Sequence, residues 1–323
     1  MCTAISFSPA RHYFGRTLDL EHHYNEAVTI TPRTFPFKFR YEGELSTHYA
    51  FIGITTVVDN YPLYYDATNE KGLSAAGLNF PGNAVYFPCA EGADNIAPFE
   101  LIPWLLGQCS DLAQVREKLS GLRLIDTPFN DKLPLTPLHW LIADPSGSVV
   151  VEQTADGLHI YDNPIGVLTN NPPFPYQLAN LANYQNLTRE EPVNRFCPHI
   201  HLDTYSRGMG TIGLPGDLSS TSRFVRAAFV KLNSVCCTDE MSAVSQFFHI
   251  LGAVEQQRGC ARVGNDFEIT VYTSCCSTDT GVYYYTTYEN RSITAVDMHC
   301  EKLDGKQLIS YPLNTEQQIL WQN

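Results

Sequence analysis

Two runs of alternating apolar and polar residues open the chain on either side of a proline-containing turn. The first run spans residues 2–7, the turn 8–10 and the second run 12–19. Two such runs joined by a short turn predict a pair of antiparallel strands. A turn centred near Pro9 places residue 2 opposite residue 16, 17 or 18, and paired residues lie within about 5.5 Å between Cα atoms.

Further runs rich in β-branched and aromatic residues predict more strands. They span residues 26–32, 49–58, 72–81, 84–87, 138–143, 148–153, 158–161, 165–169, 268–275, 282–288 and 293–298. The aromatic segment 59–66 has the composition of a turn. A proline-rich loop at 128–137 and a long irregular segment at 190–216 separate some of these runs.

Helical periodicity is confined to a few segments. They span residues 97–109, 111–119, 175–184, 222–232 and 241–254. Pro103 is expected to kink the first helix, and Ser110 can cap the second. The order of strands and helices favours a layered α+β fold over alternating βαβ units. With no internal repeat or linker, residues 1–323 are expected to form one domain.

Composition narrows the choice of function. The 323 residues are 44% hydrophobic and 17% charged, which is typical of a soluble globular protein. The net charge of −13 argues against nucleic acid as a partner, because nucleic acid binds through cationic contacts to phosphate. It also argues against a polybasic membrane anchor, and no run approaches the roughly 20 apolar residues of a membrane span.

The ten cysteines include adjacent pairs at 236–237 and 275–276 but no C-x-x-C motif. This spacing disfavours both a structural zinc site and a disulfide framework. The chain start lacks a charged segment followed by an apolar run, so no signal peptide is expected. We therefore expect a reducing, cytoplasmic setting with free thiols.

The chain start also carries candidate chemistry. Residue 2 is small enough for Met1 to be removed, which would give Cys2 a free α-amine. An amine with an unperturbed pKa of about 8 can accept the proton of a thiol with a pKa of about 8.5. Arg16 would be well placed to stabilise the thiolate, and Asp19 to hold the ammonium form. The alternative is that Cys2 is an ordinary buried strand residue and Arg16 a solvated one.

Three polar residues elsewhere are weaker candidates. Asn79 and Asn170 each end a predicted strand, where a side-chain amide can donate to an oxyanion. Turn formation explains both asparagines equally well. Arg223 lies near a helix start, and its simpler interpretation is a surface arginine.

Three other motifs are set aside. The G-x-G-x-x-G match at 208–213 follows no hydrophobic strand, so a flexible loop is favoured over nucleotide binding. His199 and His201 have no evident third metal ligand. The glycine-flanked run 72–77 is one residue too long for a nucleophile elbow.

Taken together, the motifs resemble those of the choloylglycine hydrolases. The resemblance rests on Cys2, Gly15-Arg16 with Asp19, Asn69-Glu70-Lys71-Gly72-Leu73, Gly77-Leu78-Asn79-Phe80-Pro81, Leu168-Thr169-Asn170 with Pro172, Gly213-Leu214-Pro215-Gly216-Asp217 and Ser222-Arg223-Phe224. The match runs in order from residue 2 to about residue 312. The family comprises bile salt hydrolases and penicillin V acylases, which are N-terminal nucleophile hydrolases with a four-layer αββα sandwich of two mainly antiparallel sheets.

The resemblance implies roles for the candidate residues. Cys2 would be the nucleophile and its amine the base, with Arg16 and Asp19 in its environment. Asn170, together with Asn79, would bind the oxyanion, and Arg223 would support the transition state. The reaction would be amide hydrolysis through a thioester, without a metal or cofactor. Penicillin V acylases tend to carry tyrosine at the position of Asn79, so the asparagine favours conjugated bile salts as substrates.

A steroid substrate needs an apolar wall. The loop-borne candidates for that wall are Leu18, Tyr24, Tyr61, Tyr65, Phe129, Leu133 and Leu135, for all of which ordinary packing is the alternative. Arg207, in the loop 205–210, is a candidate for the anionic glycine or taurine end. Members of the family are commonly tetramers, so a homotetramer is expected.

Two competing functions stay open. One is a penicillin V acylase, or an amidase acting on N-acyl amino acids or lactones. The other is a catalytically inactive, ligand-binding relative.

Overall fold

The computed structural model describes residues 1–323. Its strands are β1 (Cys2–Phe7), β2 (Tyr13–Leu20), β3 (Ala27–Thr31), β4 (Phe37–Lys38), β5 (Glu44–Leu45), β6 (Phe51–Val58), β7 (Tyr61–Asn69), β8 (Ser74–Asn79), β9 (Asp94–Ile96), β10 (Leu122–Leu124), β11 (Leu138–Asp144), β12 (Gly147–Thr154), β13 (Gly157–Asp162), β14 (Val167–Leu168), β15 (Arg262–Val263), β16 (Asp266–Phe267), β17 (Ile269–Ser277), β18 (Val282–Thr287), β19 (Thr294–Asp297) and β20 (Ile309–Pro312). Its α-helices are α1 (Leu101–Gln108), α2 (Leu112–Leu119), α3 (Phe174–Asn180), α4 (Ser220–Asn233) and α5 (Glu240–Gly252). None of them combines the length and the apolar character that crossing a bilayer requires.

Two large sheets form the centre of the molecule. The first has the order β14-β1-β2-β17-β18-β19 and the second the order β13-β12-β11-β8-β7-β6-β3-β20. Every pair of neighbours in both sheets is antiparallel. Strands β1 and β2 contact β7 and β8 of the second sheet, so the opening hairpin lies at the interface between the sheets.

Helices cover the outer faces of both sheets. Helices α4 and α5 pack on the first sheet through buried residues such as Phe224 and Phe247, whereas α1 and α2 pack on the second. The result is four layers in the order helix, sheet, sheet, helix, which confirms the predicted α+β class. Apolar burial drives this stacking, because each sheet has two faces to cover.

Several local predictions were wrong. The aromatic segment 59–66 is largely strand β7, because every second side chain there is buried against neighbouring elements. Residues 84–87 lie outside any strand, and the predicted strand 165–169 is regular only over Val167–Leu168. Asp111, rather than Ser110, caps α2 by accepting a hydrogen bond from Gln114. Pro103 lies in the first turn of α1, where its missing N–H costs no helical hydrogen bond.

Candidate active site

The register of the opening hairpin places Cys2 directly opposite Leu18, as the turn position predicted. Because side chains alternate along a strand, Cys2, Leu18 and Arg16 share one face of the sheet, and Thr17 and Asp19 share the other. Arg16 contacts β7 and β8, so the Cys2 face looks towards the second sheet. The two faces therefore separate Arg16 from Asp19 although they are only three residues apart.

Arg16 is completely buried, which excludes the solvated alternative. Its Nη1 donates to the backbone carbonyls of Tyr65, at 3.0 Å, and Gly77, whereas its Nη2 has no hydrogen-bond partner. Burial alone would lower the pKa of this guanidinium, but attraction to Cys2, Tyr272 and Asp66 outweighs burial and raises the pKa. Arg16 therefore keeps its positive charge beside the sulfur, with one donor unused.

A buried carboxylate compensates the charge of Arg16. Asp66 on β7 accepts hydrogen bonds from the hydroxyls of Tyr272 at 2.8 Å, Tyr283 at 2.5 Å and Ser274 at 3.2 Å. Burial raises the pKa of Asp66, while Arg16 and the three hydroxyl donors lower it. The sequence offered no signal for this network, because its members come from both sheets.

Two β-bulges bring these groups together. On β7 the register shifts so that Tyr65 is the extra residue, and its carbonyl receives Arg16. On β17 a shift between Thr270 and Tyr272 lets Thr270 face Asp19 while Tyr272 reaches Asp66 from the other side of the sheet. Bulges commonly redirect side chains next to functional sites.

Gly15 permits the close contact between β2 and β17. A Cβ atom at this position would lie 2.1 Å from the carbonyl oxygen of Ser274. The same approach lets the hydroxyl of Ser274 accept a hydrogen bond from the backbone N–H of Arg16 at 3.1 Å. The glycine of the Gly-Arg pair is thus a steric requirement of the strand pairing.

Asp19 lies on the face away from the sulfur and is completely buried. Its carboxylate accepts from the hydroxyls of Thr270 at 2.7 Å and Thr17 at 3.2 Å. Burial raises its pKa, opposed by the N-terminal ammonium and Arg223. The ammonium of Met1 contacts the carboxylate of Glu268 and the backbone carbonyl of Asp19, so in the chain that begins at Met1 the Asp19 carboxylate does not hold it directly.

Asn170 joins the chain start to the neighbouring strand ends. Its Oδ1 accepts from the Cys2 nitrogen at 2.9 Å and from Nη2 of Arg223 at 2.7 Å. Its Nδ2 donates to the backbone carbonyl of Asn79 at 2.7 Å, which leaves one of the two amide hydrogens free. The adjacent Asn171 bonds to Pro81 instead, so Asn170 is the member of the tandem that faces Cys2.

Arg223 is also completely buried, so its interpretation as a surface arginine was wrong. From the first turn of α4 its Nη1 donates to the Cys2 carbonyl at 2.6 Å and to the Thr3 hydroxyl at 2.8 Å. Burial lowers the pKa of Arg223, whereas attraction to Asp19 and Cys2 opposes that change. The helix thereby fixes both the backbone of residue 2 and the orientation of Asn170.

Asn79 ends β8 with its side chain exposed, and its amide group has no hydrogen-bond partner in the chain. Cys2 itself is only 2% exposed while Met1 is attached. In this state the Cys2 nitrogen belongs to a peptide bond and cannot act as a base. The chain that begins at Met1 therefore has a buried Cys2 thiol and unpartnered amide hydrogens on Asn79 and Asn170, and Cys2 gains a free amine only when Met1 is removed.

The apolar candidates occupy different environments. Leu18 is buried beside Cys2, and the carbonyl of Tyr65 binds Arg16. Tyr61 and Phe129 contact each other, with ring centroids 5.7 Å apart, and Tyr24 is 42% exposed. Leu133 and Leu135 are both half-buried.

Of the motifs set aside, the run 72–77 is buried and lies largely in β8, whereas the histidine pair is exposed. His199, His201 and Arg207 are exposed, and the His201 imidazole pairs with Asp203 at 2.8 Å. Met209–Thr211, within the glycine-rich run, forms a single 3-10 turn rather than the start of an α-helix.

Comparison with known proteins identifies the family. The family model of linear amide C–N hydrolases, choloylglycine hydrolase family, matches residues 2–311. A bile salt hydrolase/transferase of Lactiplantibacillus plantarum is 57% identical over 319 residues, covering 98% of both chains. A bile salt hydrolase/transferase of Clostridium perfringens is 39% identical over 97% of both chains.

Solved structures agree with the sequence comparison. A mutant of conjugated bile acid hydrolase from Clostridium perfringens superposes with a TM-score of 0.92 at 39% identity, over the whole of both chains. Penicillin V acylase from Agrobacterium tumefaciens shares the fold, with a TM-score of 0.75 at 18% identity over 96% of this chain and 90% of its own. The architecture is thus that of the N-terminal nucleophile hydrolases, and this chain belongs to the choloylglycine hydrolase family of linear amide C–N hydrolases.

Proposed function

We propose that this enzyme hydrolyses the amide bond of glycine- or taurine-conjugated bile acids. The observation that carries the proposal is the contact of the Cys2 nitrogen and carbonyl with Asn170 and Arg223, in a chain 57% identical to a bile salt hydrolase/transferase. An N-terminal nucleophile needs its own backbone held rigidly, and these contacts do so. The exposed, unpartnered amide of Asn79 is consistent with a bile-salt substrate.

The mechanism follows from the atoms around residue 2. After Met1 is removed, the Cys2 amine takes the thiol proton, and the thiolate beside Arg16 attacks the amide carbonyl. Asn79 and the free Nδ2 hydrogen of Asn170 donate to the oxyanion. The C–N bond then breaks as the ammonium gives its proton to the leaving nitrogen, which releases glycine or taurine. Water cleaves the thioester, releasing the bile acid and restoring the thiol.

A substrate panel tests the proposal against its closest alternatives. Purified enzyme is compared on glycocholate, taurocholate and penicillin V by release of the amine product. The conjugated bile salts should have the higher kcat/KM. Fastest turnover of penicillin V would identify a penicillin V acylase, and no turnover by protein lacking Met1 would identify an inactive binding relative.

The substitution Cys2→Ala tests the nucleophile. Turnover should fall by at least about 10³-fold, because no other group can form the thioester. The circular dichroism spectrum and the thermal unfolding midpoint should stay close to those of the unsubstituted enzyme. Persistent turnover would show that another group is the nucleophile, and intact mass on the active enzyme should show loss of Met1.

The remaining sites are proposed on packing and resemblance. The apolar wall would comprise Leu18, Tyr24, Tyr61, Tyr65, Phe129, Leu133 and Leu135. Alanine at Phe129 should raise KM for glycocholate while leaving kcat within about threefold, because it removes ground-state binding. Arg207 is proposed to attract the anionic end, which an R207A variant would test through the salt dependence of KM.

We also propose that residues 1–323 form a single domain that assembles as a cytoplasmic tetramer. Ten free cysteines suit a reducing compartment. The segment 190–216 exposes apolar residues such as Phe196 and Tyr205, at 85% and 82%, which would suit contacts between copies. Light scattering would measure the oligomeric state, and one cooperative unfolding transition would support a single domain.

A further inference from the structure

The segments that carry Asn79 and Asn170 contact the same buried histidine. His139 on β11 has no exposed surface. Its Nε2 lies 2.9 Å from the carbonyl oxygen of Thr169, the residue before Asn170. Its ring stacks on Phe80, the residue after Asn79, with centroids 4.3 Å apart and planes within 5° of parallel. One imidazole thus contacts the immediate neighbours of both asparagines.

A buried carboxylate holds this imidazole. Nδ1 of His139 lies 3.0 Å from Oε1 of Glu152 on β12, which also has no exposed surface. Both ring nitrogens therefore face acceptors, a carbonyl and a carboxylate. Nε2 carries the hydrogen that is donated to the Thr169 carbonyl, and one further proton, on either partner, completes the contact between Nδ1 and Glu152.

The contacts of this pair extend to α3. Glu152 accepts a hydrogen bond from the backbone N–H of Phe174 at 3.0 Å. In the same helix, Nε2 of Gln177 lies 3.3 Å from the carbonyl of Asn170 and 3.2 Å from the hydroxyl of Ser220. Because Glu152, Asn170 and Gln177 are buried, a shift of one would leave another without a partner, which is costly in a dry interior.

We propose that His139 and Glu152 are positioning residues that hold the two oxyanion donors at a fixed separation. The His139 ring contacts both the Thr169 carbonyl and Phe80. Through these contacts it keeps the neighbouring Asn170 and Asn79 at a fixed distance from each other, next to the position of the reacting carbonyl. His139 itself touches neither substrate nor Cys2. The inference rests on the proposed function, since it assigns the pair a part in that same reaction.

A matched pair of substitutions at His139 tests whether its ring positions the two asparagines. The amide nitrogen of His139→Gln can reach the position of Nε2 and keep the hydrogen bond to Thr169, and its planar amide group can still lie against the Phe80 ring. The shorter amide of His139→Asn mimics only Nδ1, so it keeps the partner of Glu152 and loses both Thr169 and the stacking on Phe80. His12→Asn is the control, because His12 is equally buried but lies at the far end of the opening hairpin.

The readouts separate positioning from general damage to the structure. Steady-state kinetics on glycocholate should show that His139→Asn lowers kcat by about 10-fold or more with KM within about twofold, whereas His139→Gln stays within about threefold in kcat. The rate of Cys2 alkylation by iodoacetamide, followed by peptide mass spectrometry, should not change, because alkylation develops no oxyanion. His12→Asn should leave kcat unchanged.

Three results would overturn the inference. They are an unchanged kcat in His139→Asn, a parallel fall of kcat and Cys2 alkylation, or an equal loss of kcat in His12→Asn. If His139→Asn does not fold, Phe80→Leu tests the Asn79 arm alone and should lower kcat without changing alkylation; an unchanged kcat there contradicts the proposal. Failure of the unsubstituted enzyme to hydrolyse any conjugated bile salt would instead reject the proposed function.

Discussion

The two ends of the opening hairpin bury polar groups in opposite ways. At the turn end, His12 lies between the hydroxyls of Ser6 at 2.9 Å and Thr278 at 3.1 Å. Burial lowers the pKa of His12 to about 4, with smaller opposing and reinforcing effects of Asp144 and Lys231, so the ring is neutral at pH 7. At the Cys2 end, Arg16 and Arg223 stay charged in equally dry surroundings.

The difference shows what burial of charge requires. The turn end satisfies both nitrogens of a neutral ring with hydroxyl groups. The Cys2 end keeps two cations by aiming backbone carbonyls at them and burying Asp66 and Asp19 nearby, and it leaves donors unused on Arg16 and Asn170. Unused donors beside Cys2 are what the proposed binding of an oxyanion there requires.

Among substitutions at the two ends of the hairpin, those of Arg16 should have the largest effect on activity. Arg16→Gln removes the cation beside Cys2 and leaves Asp66 buried without its counterion. We expect kcat/KM for glycocholate to fall by about 10²- to 10³-fold. Arg16→Lys restores charge without the planar fork and should recover only part of the activity. Full activity in Arg16→Gln would show that the thiolate needs no cation.

Asp66→Asn should have a smaller effect. Tyr272 and Tyr283 donate to different oxygens of Asp66, so the single amide oxygen of asparagine can accept from only one of them. The side-chain volume is unchanged, so the packing should survive. Arg16 loses its counterion and gains freedom to leave the two carbonyls it binds. We expect about a 10-fold lower kcat. Equal activity of the variant and the unsubstituted enzyme would mean that the carbonyls alone position Arg16.

The turn end should affect stability rather than catalysis. The folded pKa of His12, about 4, lies below the unfolded value of 6.5, so between those values the unfolded chain binds the additional proton. Stability from this group is therefore complete above pH 6.5 and falls as the pH drops towards 4, by roughly 3 kcal/mol. Denaturant unfolding at several pH values should show a shallower acid dependence in His12→Asn.

Ser6→Ala should have the smallest effect. It removes one neutral partner of a neutral ring, so we expect a loss of about 1 kcal/mol in the free energy of unfolding and no change in kcat. Chemical denaturation at pH 7, combined with kinetics on glycocholate, measures both quantities. A clear fall in kcat would mean that the two ends of the hairpin are coupled. It would contradict the conclusion that the turn end affects stability and not catalysis.

The residues at the Cys2 end also show what the sequence alone could identify. Strand alternation and the position of one turn, which are local properties, predicted that Cys2 lies opposite residue 16, 17 or 18, and the structure shows that the partner is Leu18. Motifs identified Asn170 and Arg223 as candidates, but their shared contact with Cys2 joins residues more than 160 positions apart. Asp66 carried no signal, because only a bulge and two tyrosines from the facing sheet give it a role.

The chain alone determined the α+β class, the antiparallel hairpin and the chemistry available at residue 2, since alternation and residue type act over a few neighbouring positions. Tertiary structure decided which arginines are buried, which asparagine of the tandem faces Cys2, and that His139 lies behind both asparagines. Those outcomes depend on how two sheets stack and where their registers shift. Such long-range contacts arise from burial of whole faces, and no short stretch of sequence contains them.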